Sequence, residues 1–186
     1  GWALRAAQGL YGALPLHRAQ ISVMKPGYPQ PSADESPAAY GYRLHRDSAH
    51  VDGLLPVGPD RRRMLQEPHA YILGLALNQT GAGASPLVVW DGSHKIMAAA
   101  FAQAFAGMDP GLWPQTDVTD MYQEARRKVF SQCQRRLLHQ APGEAVLLHR
   151  QLLHGVSPWS PGAEAPPEGR MLAYLRPQLP DIADWL

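Results

Sequence analysis

Two His-x-Asp triplets stand close together in the chain, His45-Arg46-Asp47 and His50-Val51-Asp52. On an extended strand, residues two apart share a face, so either triplet can offer an imidazole and a carboxylate to one metal ion. By the same parity the two triplets face opposite ways and cannot serve one ion together. The spacing alone carries little, because polar residues on a solvated strand produce it as well. A further histidine, His154, closes the run PGEAVLLHRQLLHG at 142–155 and is followed by glycine. If that run is a regular strand, His149 and His154 point to opposite sides and only one can enter a site. Two imidazoles and one carboxylate on one face of Fe(II) leave three adjacent coordination positions for a chelating co-substrate and dioxygen. Arg170 then has a use. A planar guanidinium grips a carboxylate through two parallel charge-assisted hydrogen bonds, as the far end of 2-oxoglutarate requires. Arg176 has the same parity and competes for that role, ranked second because Pro177 marks a strand end.

Positioning such residues needs short strands and tight turns. Gly 17 and Pro 18 among 186 residues fit a loop-rich β protein better than a helix bundle. Residues 2–14 have apolar positions at helical spacing, with proline directly after, and 19–24 read as a strand. Residues 26–37, with four prolines, read as a loop long enough to be a lid or a binding segment. HAYILGLALN at 69–78 and PLVVW at 86–90 are two buried strands joined by QTGAGAS. Residues 96–105 look helical, and 117–139 carry the longest helical pattern. There Tyr122, Ala125, Val129, Phe130, Cys133 and Leu137 form one stripe, with Arg126, Arg127, Lys128, Arg135 and Arg136 mostly on a solvated face. Strands are expected over 145–153 and 170–175. No repeat or interior linker divides the chain, so one domain over 1–186 is expected.

The chain also resembles the phytanoyl-CoA dioxygenase-like branch of the Fe(II)/2-oxoglutarate-dependent oxygenases over roughly 20–177. The resemblance rests on HVDG at 50–53, SPLVVWDGSHK at 85–95, PGEAVLLHRQLLHG at 142–155 and GRMLAYLRP at 169–177. It implies that His50, Asp52 and His154 are the iron ligands and Arg170 the 2-oxoglutarate anchor. It implies a mainly β fold with flanking helices, a double-stranded β-helix or jelly roll of cupin-like type. It also implies hydroxylation of a small organic substrate by dioxygen, releasing succinate and carbon dioxide. Related halogenases lack the carboxylate that Asp52 provides, so hydroxylation is preferred over halogenation. His94, in the Gly-Ser-His turn, is implied to make a structural hydrogen bond. The chain departs from the pattern at Trp90 and Asp91, before that turn, and in the lengthened loop PWSPGAEAPPEG between His154 and Arg170.

Seventeen basic against sixteen acidic side chains remove the basic excess that sequence-independent nucleic-acid binding needs, and 45% hydrophobic content removes intrinsic disorder. No apolar run approaches the roughly 18 residues of a membrane span. The single cysteine, Cys133, makes no internal disulfide, and a cytoplasmic location is the expectation. Because the chain begins at Gly1, an N-terminal portion is expected to be trimmed or left out. Arg46 and Asp47 are expected to form a local ion pair or a piece of the rim. Tyr40, Tyr42, His69, Tyr71 and Trp159 are candidates for the pocket wall or the core. Two other readings stay open: a non-enzymatic jelly-roll module that binds iron or 2-oxoglutarate, and a cupin-type metal isomerase or dioxygenase.

Overall fold

The computed structural model describes residues 1–16 and 18–186. In chain order the elements are α1 (Trp2–Tyr11), β1 (Gln20–Met24), α2 (Pro37–His45), β2 (Leu54–Val57), β3 (Arg62–Leu65), β4 (Tyr71–Ala76) and β5 (Leu87–Trp90). There follow α3 (Ser93–Ala104), α4 (Thr119–Gln132), β6 (Arg135–Leu138), β7 (Ala145–His149), β8 (His154–Val156) and β9 (Arg170–Leu175). Short 3-10 turns occupy Pro110–Gln115 and Ile182–Trp185.

The strands form a four-stranded sheet in the order β1-β9-β4-β7, a three-stranded sheet in the order β6-β5-β8 and the hairpin β2-β3. Every strand pair is antiparallel. Ile72 and Ala76 of β4, Leu148 of β7 and Leu172 and Tyr174 of β9 cluster with Leu87 and Val89 of β5, so the two sheets share one core. The alternate residues of β5, Val88 and Trp90, face instead a cluster with Met97 and Phe101 of α3 and Tyr122, Ala125 and Val129 of α4. On β4 the odd positions Tyr71 and Leu73 pack with Ala7 of α1. Both strands are therefore buried on two faces, which is why they read as continuous apolar runs. Antiparallel sheets with helices at their sides are consistent with the expected jelly roll.

The structure departs from the sequence expectations in several places. The helical pattern expected over 117–139 ends at Gln132; Cys133 is extended (φ −103°, ψ 139°), and Arg135–Leu138 pair with β5 as an edge strand. The available edge of β5 outweighs the continuing apolar period. The strand expected over 145–153 breaks after His149, and β7 and β8 lie in different sheets, so parity between His149 and His154 has no bearing on which enters the site. The end of the proline-rich stretch starts a helix: Pro37 opens α2, and the Ser36 hydroxyl accepts from the Ala39 N–H at 3.2 Å. His45 closes that helix and Asp47 has φ 54°, so the first triplet is not on a strand. Among the described residues no helix is long and apolar enough to cross a membrane.

Candidate metal centre

His50 and His154 meet first through their backbones. The His50 N–H donates to the His154 carbonyl at 2.8 Å, and the His154 N–H donates to the His50 carbonyl at 3.0 Å. This isolated antiparallel bridge adds His50 to the free edge of β8. Next to it the Val156 N–H donates to the Asp47 carbonyl at 2.7 Å. Two glycines permit the close approach. A Cβ on Gly155 would lie 2.1 Å from the Asp47 carbonyl oxygen. Gly53 has φ +86°, and a Cβ there would lie 2.2 Å from the Glu67 carbonyl oxygen. The glycines after Asp52 and after His154 thus answer to contacts with backbone.

The bridge brings three side chains together. His50 Nε2 is 3.1 Å and His154 Nε2 3.6 Å from the same carboxylate oxygen, Asp52 Oδ1. One ligand atom from each residue lies within 4.8 Å of the others. His50 Nδ1 sits 2.8 Å from the Ser48 carbonyl and His154 Nδ1 2.9 Å from the Leu152 carbonyl. These acceptors assign the ring protons to Nδ1 and leave the Nε2 lone pairs turned toward the carboxylate. Two lone pairs facing an anion are reconciled by a shared proton or by a cation. The donor set, two imidazole nitrogens and one carboxylate oxygen, suits a first-row divalent ion.

His154 is buried and the Asp52 side chain only 10% exposed, whereas 49% of the His50 side chain is exposed, so the site opens past His50. It opens into a cavity of about 1070 Å³ that Tyr42, His69, Tyr174 and Arg176 also line. Burial would raise the Asp52 pKa, but the His154 and His50 rings outweigh it and hold the carboxyl well below the usual range. Desolvation disfavours a charged His50, and Asp52 together with the Ser48 carbonyl more than offsets it, raising the pKa. Desolvation lowers that of His69, which sits 3.2 Å from Glu67.

The two arginines divide. Arg176 donates through Nε to Asp52 Oδ2, the oxygen turned away from the histidines, and through Nη1 to Gln20 Oε1 at 2.7 Å. Its guanidinium lies over the Tyr174 ring at 5.0 Å. Arg170, at the start of β9, is 5% exposed, and none of its three guanidinium nitrogens has a hydrogen-bond partner. Desolvation lowers its pKa, and its polar neighbour is Tyr174, which also feels the charge of Asp52. A buried guanidinium without an acceptor is costly, and a carboxylate with two oxygens in one plane is the group that satisfies it. These residues fit a metal with a chelating dicarboxylate.

Other expected site residues lie elsewhere. Asp47 takes Arg135 Nε at 2.8 Å and Nη2 at 2.7 Å, while Arg46 stacks on Phe130 at 4.7 Å, so Arg46 and Asp47 do not pair with each other. The Gly-Ser-His turn is tied by Ser93, whose hydroxyl accepts from the Leu153 N–H at 2.9 Å; His94 Nδ1 is buried without a partner, and its ring faces His149 at 5.1 Å. Tyr71 is core, and Tyr40 and Trp159 do not line the cavity. Tyr122, expected on an apolar stripe, has a use that sequence reasoning missed: its hydroxyl accepts from the Val51 N–H at 3.0 Å, between the two ligand candidates. No local pattern announces that contact.

At the sequence level no protein-family model and no curated protein matches the chain. Two solved structures align with most of it. AviO1 from Streptomyces viridochromogenes Tue57 aligns with 95% of this chain and 57% of its own, at 16% identity and a TM-score of 0.47. SnoK, described as a non-heme alpha ketoglutarate dependent carbocyclase from nogalamycin biosynthesis, aligns with 92% of this chain and 53% of its own, at 16% identity and a TM-score of 0.51. The chain thus spans little more than half the length of either, and what it shares with SnoK is the fold: antiparallel sheets with flanking helices.

Proposed function

We propose that this chain is an Fe(II)- and 2-oxoglutarate-dependent oxygenase of the phytanoyl-CoA dioxygenase-like branch, a single double-stranded β-helix domain that hydroxylates a small organic substrate. One observation carries the reading: two imidazoles and a carboxylate within 4.8 Å of one another, in the same fold as a buried guanidinium with no acceptor. SnoK, similar in fold, is described as depending on the same co-substrate.

In this reading His50, Asp52 and His154 hold the iron, and Arg170 takes the distal carboxylate of 2-oxoglutarate. Bound there, the metal would couple oxidative decarboxylation of 2-oxoglutarate by dioxygen, which yields succinate and carbon dioxide, to insertion of an oxygen atom into a substrate C–H bond. The protein's own work is positioning. The Ser48 and Leu152 carbonyls keep both Nε2 atoms available. Arg176 holds one oxygen of Asp52 and so leaves the other for the metal. Burial of His154 and Asp52 limits water to the His50 side.

The test is anaerobic titration with Fe(II) and 2-oxoglutarate. Wild type is expected to develop the visible charge-transfer band of the chelate and His154→Ala to lack it; a wild type without the band overturns the reading. Succinate formation under air then separates an enzyme from a sensor.

A further inference from the structure

The cavity in front of His50 is unequally charged. Two of its carboxylates are paired with arginines: Glu35 takes Arg43 Nε at 2.8 Å and Nη2 at 2.5 Å, and Asp52 takes Arg176, while Glu67 faces His69. Arg63 of β3 and Arg126 of α4 line the same cavity, and neither has a carboxylate within ion-pair distance among the described residues. Arg126 lies against two tyrosine rings, its Cζ 4.7 Å from the Tyr42 centroid and 5.2 Å from that of Tyr122, and its Nε is buried without a partner. The two rings hold the guanidinium by cation–π attraction, and its Nε is left for an acceptor from outside. Arg63 spends one donor, Nη1, on the Leu54 carbonyl at 3.1 Å.

This arginine pair is tied to the metal ligands. The Tyr42 hydroxyl donates to the Ala49 carbonyl at 2.7 Å, and the Tyr122 hydroxyl accepts from the Val51 N–H at 3.0 Å, so the two rings under Arg126 are anchored on either side of His50. Burial pushes the Tyr42 pKa up to about 12, with the charge of Arg126, whose Cζ lies over its ring, pulling against it. Two cations that line one cavity and pair with none of its carboxylates are a receptor for an external anion.

We propose that the primary substrate carries an anionic group, a carboxylate or a phosphate ester, which Arg63 and Arg126 hold at the Tyr42–Tyr122 wall while the carbon to be oxidised faces His50 and Asp52. The proposal rests on the oxygenase reading above and adds to it the class of substrate. The balanced charge of the whole chain conceals this, because a net count does not say which arginines have a carboxylate beside them.

The experiment is anaerobic calorimetric titration of the Fe(II)- and 2-oxoglutarate-loaded protein with benzoate, phenyl phosphate and the neutral analogue benzamide. At least one anion is expected to bind, with benzamide at least tenfold weaker, and the tighter anion identifies the group. Arg126→Gln and Arg63→Gln are each expected to weaken it at least tenfold while the 2-oxoglutarate band persists. Arg126→Lys should recover part of the loss, since charge returns without the planar fork. Thermal transitions check that each variant folds; should Arg126→Gln fail, Arg63→Gln carries the test. Equal binding of benzamide and benzoate, or anion binding that responds to Arg170→Gln and to neither of the pair, overturns the proposal. A wild type with no band sinks the oxygenase reading instead, and titrating the metal-free protein then still reads the arginine pair.

Discussion

Asp52 presents its two carboxylate oxygens to different partners: Oδ1 faces Nε2 of both His50 and His154, and Oδ2 accepts from Arg176. The carboxylate is thereby oriented from behind by a residue at the far end of the chain. In the sequence Arg176 looks like a second choice for gripping a co-substrate, and its position on Asp52 gives it a different task.

That division of labour between the two arginines is testable. Arg176→Ala leaves one oxygen of a buried carboxylate without its partner and should lower Fe(II) or Mn(II) affinity roughly 10–100-fold, as losses behind a metal ligand generally do. Arg170→Ala should leave metal affinity nearly unchanged and abolish the 2-oxoglutarate band. Metal titration followed by Mn(II) resonance, together with the visible band, reads both; the opposite pattern exchanges the roles.

Gly155→Ala places a methyl group 2.1 Å from the Asp47 carbonyl, against backbone that has no side-chain freedom to yield. The strand end must move off the segment that carries His50. Chemical denaturation is expected to show a loss on the order of 2 kcal/mol, and metal binding should fail in the folded fraction. Gly143→Ala, where nothing lies within 4 Å, leaves the two histidines in place; its φ of +90° costs stability without costing metal affinity. Metal binding retained by Gly155→Ala would show that the backbone bridge is not what positions the imidazoles.

His149 supplies a pH dependence separate from the metal centre. Desolvation, then the Arg150 charge, then His94 lower its pKa from 6.5 to about 4, and its Nδ1 accepts from the Gln151 N–H at 3.1 Å, which a proton there would break. The unfolded chain therefore binds this proton more readily than the folded one. Its contribution is fully present above about pH 6.5 and is lost as pH falls toward 4. Partial exposure trims the effect to about 1 kcal/mol, or roughly 2–4 °C in a domain of this size. His149→Asn keeps an acceptor near the Gln151 N–H and should flatten the acid limb of a plot of Tm against pH. An unchanged limb would assign it to other groups.

Elements whose cause is local are legible in the sequence. The apolar strands β4, β5 and β9 and the helix α3 follow from side-chain period and turn chemistry. Elements that depend on a partner are not. Arg135–Leu138 have the pattern of a helix end and become a strand because β5 offers an edge. Asp47 stands beside Arg46 and pairs with Arg135. His50 belongs to no strand, and one bridge to His154 defines its place.

The residue types by themselves determined that two histidines, an aspartate and an arginine were available for one chemistry, since the ligand preferences of a metal and the fit of a guanidinium to a carboxylate need no third dimension. The resemblance already favoured His50, Asp52 and Arg170; the tertiary structure decided that His50 meets His154 through a backbone bridge and that Arg176 orients Asp52 while Arg170 stays unsatisfied. Those choices turn on distances between segments far apart in the chain, and a hydrogen bond or an ion pair is a property of separation in space, on which order along the chain is silent.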